Sequence, residues 1–205
     1  NYNGSFTDTL ISIGKVTPSL QFSPQPTAMV VEGTQVVSAT STTMLLDNGG
    51  GISYTLGVGS GSGTINAITG QLTATGAGTL TIIATLLGNS NYNQAVTSTV
   101  ITIGRATPTL QLLSPTAMTV GSISSAVTQT LAKYSSGGVV TFSIASPGAG
   151  LSATVDSGTG QITATRSGII TLIAQSAGDT NYYGVSTTLA ITIGRSTPSI
   201  SLTST

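Results

Sequence analysis

Apolar and polar residues alternate along most of this chain. In Thr79-Leu80-Thr81-Ile82-Ile83-Ala84-Thr85, Leu80, Ile82 and Ala84 fall on one side of an extended backbone, and Thr79, Thr81 and Thr85 on the other. A period of two marks a β-strand with one buried face. Ile170, Leu172 and Ala174 repeat the pattern. Comparable runs at residues 20–22, 29–31, 36–39, 52–56, 72–74 and 99–103 are separated by Gly, Asn, Ser and Pro. That is about seven short strands per 90 residues, which predicts an all-β fold: an antiparallel sandwich of two packed sheets. No helix longer than a turn is expected, because β-branched residues dominate.

The pattern recurs every 90 residues. Asn1-Tyr2-Asn3 leads to Ile11-Ser12-Ile13-Gly14-Lys15 and Pro18; Asn91-Tyr92-Asn93 leads to Ile101-Thr102-Ile103-Gly104-Arg105 and Pro108. Asn181-Tyr182-Tyr183 leads to Ile191-Thr192-Ile193-Gly194-Arg195 and Pro198. Thr69-Gly70-Gln71-Leu72-Thr73-Ala74-Thr75 likewise returns as Thr159-Gly160-Gln161-Ile162-Thr163-Ala164-Thr165. The offset slips only in Gly- and Ser-rich stretches such as 57–63, which therefore read as surface turns, where length changes are tolerated. The period divides the chain into the last strand of a preceding repeat at 1–14, whole repeats at 15–104 and 105–194, and the first strand of a following repeat at 195–205. A fold of 90 residues is a viable sandwich without disulfides. The chain opens on Asn and stops within a repeat, so it is expected to be cut from something longer.

Lys15, Arg105 and Arg195 hold one position in each repeat, between the last strand and the Thr-Pro that opens the next. With Pro18, Pro108 and Pro198 they form short junctions, which favour a stiff connection and a linear rod of domains. The basic residues read either as solvated charges that discourage wrong strand pairing, or as donors to Asp47, Asp179 or backbone carbonyls that set the angle between neighbours. Each Pro also removes a donor from a possible sheet edge.

Composition narrows the chemistry. Five Lys or Arg balance five Asp or Glu, and there is no His, Cys or Trp. The chain has no basic field for nucleic acid, and no imidazole or thiol for catalysis, zinc or a disulfide. Its apolar run at residues 80–87 is too short for a membrane helix of about 20 residues. Thr (38) and Ser (28) make up about a third of the 205 residues, yet a hydroxyl nucleophile needs a base, and only Lys15 or Lys133 is on offer.

The acids Asp8, Glu32, Asp47, Asp156 and Asp179 are scattered, which argues against a glycosidase pair. Asp156 aligns with Asn66 and Asp179 with Asn89, an interchange typical of turns in which the side chain bonds its own backbone. Asp179-Thr180-Asn181 is the best local candidate for calcium, but its counterpart Asn89-Ser90-Asn91 has no carboxylate. An internal Lys–Asn isopeptide bond would have to use Lys133. Neither a cofactor nor a metal is expected. Tyr54 and Phe142 share one strand position and read as core; Tyr2, Tyr92 and Tyr182 read as ring-in, hydroxyl-near-turn residues. Lys133, Tyr134 and Tyr183 form the possible ligand patch, for a glycan or a surface protein. Asn3-Gly4-Ser5 is a formal glycosylation sequon.

On the opening Thr-Pro-x-Leu, the Thr-Gly-x-Leu/Ile-Thr-Ala-Thr segments at 69–75 and 159–165, the strand from Gly78 to Thr85, and Asn-Tyr ahead of Thr-x-x-Ile-Thr-Ile, the chain resembles the bacterial immunoglobulin-like repeats of very long cell-surface proteins. The resemblance implies tandem Ig-like sandwiches, secreted and non-catalytic, in the stalk or filament of an adhesin, including gliding-motility adhesins of Bacteroidota. Implied partners are neighbouring repeats, lateral copies of the chain, or a ligand of the module itself. Family members with calcium at their junctions carry clustered acids that this sequence lacks.

Overall fold

A computed structural model describes residues 4, 7–41, 51–113, 115–124, 127, 129–132, 139–145, 152–198 and 200. Tyr2, Asp47, Lys133 and Tyr134 lie outside the described residues. The chain falls into two compact units, Asn1–Gly104 and Arg105–Thr205, each a β-sandwich.

The first unit contains β1 (Leu20–Phe22), β2 (Met29–Val30), β3 (Thr34–Val36), β4 (Ala39–Ser41), β5 (Ile52–Gly57), β6 (Ser62–Ile65), β7 (Gln71–Gly76), β8 (Gly78–Leu86) and β9 (Ala95–Gly104). One sheet runs β2-β9-β8-β5; facing it are the triplet β3-β7-β6 and the pair β1-β4. The alternation read from the sequence sets the burial: Leu80, Ile82, Ala84 and Leu86 are at most 3% exposed, and Leu72 and Ala74 of β7 in the facing sheet at most 1%. Fully burying a Leu or Ile side chain contributes about 1.5–3 kcal/mol, so this stripe supplies much of the unit's stability.

The second unit repeats the plan with β10 (Thr109–Leu112), β11 (Ala117–Thr119), β12 (Gln129–Ala132), β13 (Val140–Ala145), β14 (Ala153–Val155), β15 (Ile162–Ala164), β16 (Gly168–Ser176) and β17 (Val185–Gly194). Its large sheet runs β11-β17-β16-β13. The core gathers Phe142, Ile162, Ile170, Leu172, Ile191 and Ile193, at the positions of Tyr54, Leu72, Leu80, Ile82, Ile101 and Ile103.

Three details differ from the sequence reading. First, the pairing is not wholly antiparallel: β2 runs parallel to β9, with Met29 opposite Ile103, and β11 runs parallel to β17, with Met118 opposite Ile193. In each unit a proline, Pro26 or Pro115, removes a backbone donor just before this strand, where the chain passes from the smaller layer to the large sheet and runs parallel to its last strand. Second, the expected strand at 36–39 is two strands. β3 pairs with β7 and β4 with β1, so the chain changes sheets at Val37 and Ser38. Third, part of the stretch at 57–63 taken for a turn belongs to β6, which pairs with β7 across a bulge at Ser62/Gly63. A Cβ on Gly63 would lie 2.8 Å from the Thr73 carbonyl oxygen; Gly is there because a neighbouring backbone comes close.

Residues 7–14 contain no strand in this structure and are exposed throughout. Residues 195–198 also lie outside any strand.

Candidate functional site

The repeated residues build two recurring turns and one recurring clasp. The turn before β7 is closed by Asn66: its Oδ1 accepts the amide hydrogens of Ile68 and Thr69, both at 2.9 Å, while the Gly70 amide donates to its carbonyl. Asp156 does the same in the second unit, accepting from Thr159 at 2.7 Å and Gly158 at 3.1 Å, and from the Thr159 hydroxyl at 2.8 Å. The Thr159 amide, then its hydroxyl, then the Gly158 amide hold the Asp156 carboxyl below the ordinary carboxylate range.

The turn ends on a glycine with φ of +69° at Gly70 and +72° at Gly160, a conformation that L side chains avoid. A Cβ on Gly70 would also stand 2.1 Å from the Val37 carbonyl oxygen. This is the physical reason for Gly in the repeated Thr-Gly-Gln motif.

The second turn precedes the last strand. Asn89 Oδ1 accepts from the amides of Asn91 and Tyr92 at 2.8 and 2.9 Å; Asp179 Oδ1 accepts from Asn181 and Tyr182 at 2.7 and 2.9 Å. The Asp179 oxygen considered for calcium is thus engaged in closing a turn. Among the described residues, no three Asp or Glu gather as a metal site would require.

The clasp joins this turn to the start of its own unit. The Val16 amide donates to the Asn91 carbonyl at 3.0 Å, and the Asn93 amide donates back to the Val16 carbonyl at 2.8 Å. Ala106 makes the same pair of bonds with Asn181 and Tyr183, at 2.9 Å each. The Asn93 side-chain amide adds a bond to the Thr17 hydroxyl at 2.9 Å. In the second unit Tyr183 replaces Asn93, and the Arg105 guanidinium lies over its ring, 5.7 Å from the centroid, a cation–π contact. The ring of Tyr182 is fully buried beside it, whereas Tyr92 is half-buried.

The structure therefore brings together two residues that the sequence placed in different groups: Arg105 of the junction set and Tyr183 of the ligand patch. Lys15, Arg105 and Arg195 are all exposed; Pro18 and Pro108 are buried and Pro198 is exposed. A groove of about 430 Å³ runs past Lys15, lined by Ile13, Gly14, Val16, Asn91 and Tyr92. The sequence missed the clasp because backbone pairing between residues 76 positions apart leaves no mark in side-chain periodicity.

No family model matches the chain, and no curated protein matches it. Among solved structures it is similar to the protocadherin gammaB4 extracellular domain, at 16% identity over 88% of this chain and 35% of that one, with a TM-score of 0.40. It is also similar to EC22-24 of mouse cadherin-23, at 16% identity over 88% of this chain and 64% of that one, TM-score 0.33. For EC1-2 of human protocadherin-24 the values are 15% identity, 89% of this chain, all of that chain, and TM-score 0.37. The chain spans about a third of the protocadherin gammaB4 chain it matches.

Proposed function

We propose that this chain is a non-catalytic spacer segment of a secreted bacterial surface adhesin, with tandem Ig-like sandwiches holding a distal binding region away from the cell. One observation carries the reading: the residues that recur at 90-residue spacing have architectural work to do. Gly70 and Gly160 permit a turn, Asn66 and Asp156 close it, Asn89 and Asp179 close another, and Val16 and Ala106 clasp the last turn of their units. A module kept in tandem for a bound ligand would be expected to repeat the ligand's contacts as well. Apart from the recurring junction cation, the charged and aromatic surface positions instead change between units, as Tyr183 does against Asn93.

In this reading the repeats at 15–104 and 105–194 are interchangeable lengths, the junctions at Lys15, Arg105 and Arg195 transmit load, and the surface of hydroxyls and amides is insensitive to salt. Gliding motility or adhesion is the setting implied by the resemblance. In-frame removal of residues 15–104 from the full gene product tests it. The shortened protein should still reach the cell surface and still bind through its distal part, with a label there lying nearer the cell. Loss of binding with unchanged surface display would refute the spacer reading.

A second reading has one observation in its favour. Tyr183 is 52% exposed and carries Arg105 on its ring, a surface pair of the kind that ligands use. A glycan or protein bound by this chain and lost on Tyr183→Ala, but kept on Asn93→Ala, would favour a binding module.

A further inference from the structure

We infer that residues 7–14 are a strand whose partner is a further sandwich of this repeat type, one that has no last strand of its own. Thr7-Asp8-Thr9-Leu10-Ile11-Ser12-Ile13-Gly14 stands in the repeat where residues 97–104 form the end of β9 and residues 187–194 the end of β17. In those strands Ile101 and Ile103 are 4% and 2% exposed, and Ile191 and Ile193 are 0% and 2%. Here the equivalent Ile11 and Ile13 are 80% and 92% exposed, and Leu10 is 98% exposed.

The rest of the segment also fits a strand of that kind. Asp8 stands at the position of Ser98 and Thr188, both outward-facing and exposed, so its charge would stay in water. Leu10 stands at the position of Val100 and Ala190, exposed as well, whereas Ile11 and Ile13 take the two inward positions.

What would cover them is written in the two folded copies. β9 lies between β8, antiparallel with Ile101 opposite Leu80, and β2, parallel with Ile103 opposite Met29. β17 lies in the same way between β16 and β11. In this chain both places of that shape are already filled, by β9 and β17 themselves. The partner must therefore bring its own β8-type strand and β2-type edge, each with unused backbone donors and acceptors, and apolar positions in matching register. Whether the segment pairs in this way does not depend on what the tandem is used for.

Grafting a second copy of residues 15–90 directly ahead of Asn1 in the full chain supplies such a partner in phase, since Asn1 follows it as Asn91 follows Ser90. Amide hydrogen exchange then reads the outcome. In the ungrafted chain the amides of residues 10–13 should exchange freely. In the graft they should slow by about 100-fold or more, toward the protection of residues 100–103. Free exchange at residues 10–13 in the graft, with residues 100–103 and 190–193 protected, would overturn the inference. Ile11→Asp in the graft should abolish the gained protection and leave the other two strands protected; retained protection would also overturn it. Because the chain has no cysteine, Ser12→Cys with Thr79→Cys in the grafted copy checks the register, which is that of Thr102 opposite Thr79. A cross-link between the two supports the pairing.

Discussion

The hydroxyl oxygen of Tyr54 accepts the amide hydrogen of Ala39 at 3.0 Å, in a buried position. Tyr54 belongs to β5 in the large sheet and Ala39 to β4 in the facing layer, so this bond ties the two layers at the point where the chain has just changed sheets. The second unit has Phe142 at this position, so the ring is what both cores require and the hydroxyl belongs to the first alone. Tyr54→Phe should keep the packing and orphan a buried amide, costing about 1–2 kcal/mol. Denaturant unfolding followed on the first unit checks this; a loss below a few tenths of a kcal/mol would mean that the amide finds another acceptor.

Gly70 and Gly160 share a conformation and differ in surroundings. The nearest atom to a Cβ on Gly160 is Val127 Cβ at 3.0 Å, a side chain, whereas on Gly70 it is the Val37 backbone oxygen at 2.1 Å. Alanine at either position meets the left-handed backbone cost of about 1–2 kcal/mol. Gly70→Ala adds a backbone collision that a side-chain shift cannot relieve. Gly70→Ala should therefore destabilise its unit more than Gly160→Ala does, with about 3 kcal/mol or more against about 1–2 kcal/mol. Equal losses would contradict the role assigned to the Val37 carbonyl.

Ser176 is 1% exposed, and its Oγ has no hydrogen-bond partner among the described residues. The first unit has Leu86 at this position, 3% exposed. A buried hydroxyl without a partner costs about 1–3 kcal/mol, so Ser176→Ala should raise the stability of the second unit by about 1 kcal/mol. Thermal unfolding of the variant beside the parent measures it; a fall in stability would show that the hydroxyl is satisfied.

Asp156 should make the second unit sensitive to acid. Its carboxyl is held below the ordinary value in the folded state by the Thr159 and Gly158 donors. Its contribution is therefore fully present above the unfolded carboxylate pKa of about 3.9, and is lost as the pH falls through the lower folded value. Asn66 closes the same turn with no titrating group, so Asp156→Asn should fold normally and flatten that part of the acid dependence. Stability of parent and variant measured from about pH 6 down to about pH 2 should converge at the acid end. Parallel curves over that range would rule out the assignment.

Much of this architecture was legible in the residues, and what was not has identifiable causes. Leu80, Ile82 and Ala84 could be placed because one-sided burial imprints a period of two. Asn66 and Asp156 could be placed because both side chains can cap a turn, and little else unites them. β6 was hidden: Ser62-Gly63-Thr64-Ile65 carries one large apolar residue, and its Gly serves a close approach that only the fold reveals. The change of sheets at Val37 was hidden too, since Val37 and Ala39 keep facing the core on either side of it. The Arg105–Tyr183 contact escaped because the first unit has Asn93 in place of Tyr183, so the repeat gave no second copy from which to read the pairing.

Pulling the 205-residue chain from its two ends tests the central claim most directly. If each repeat is a separate load-bearing sandwich, the force trace should show two unfolding events. Each should release about 250–300 Å of contour, the extended length of 90 residues less the folded span. Extension without discrete events, or a single event releasing the whole length, would contradict it.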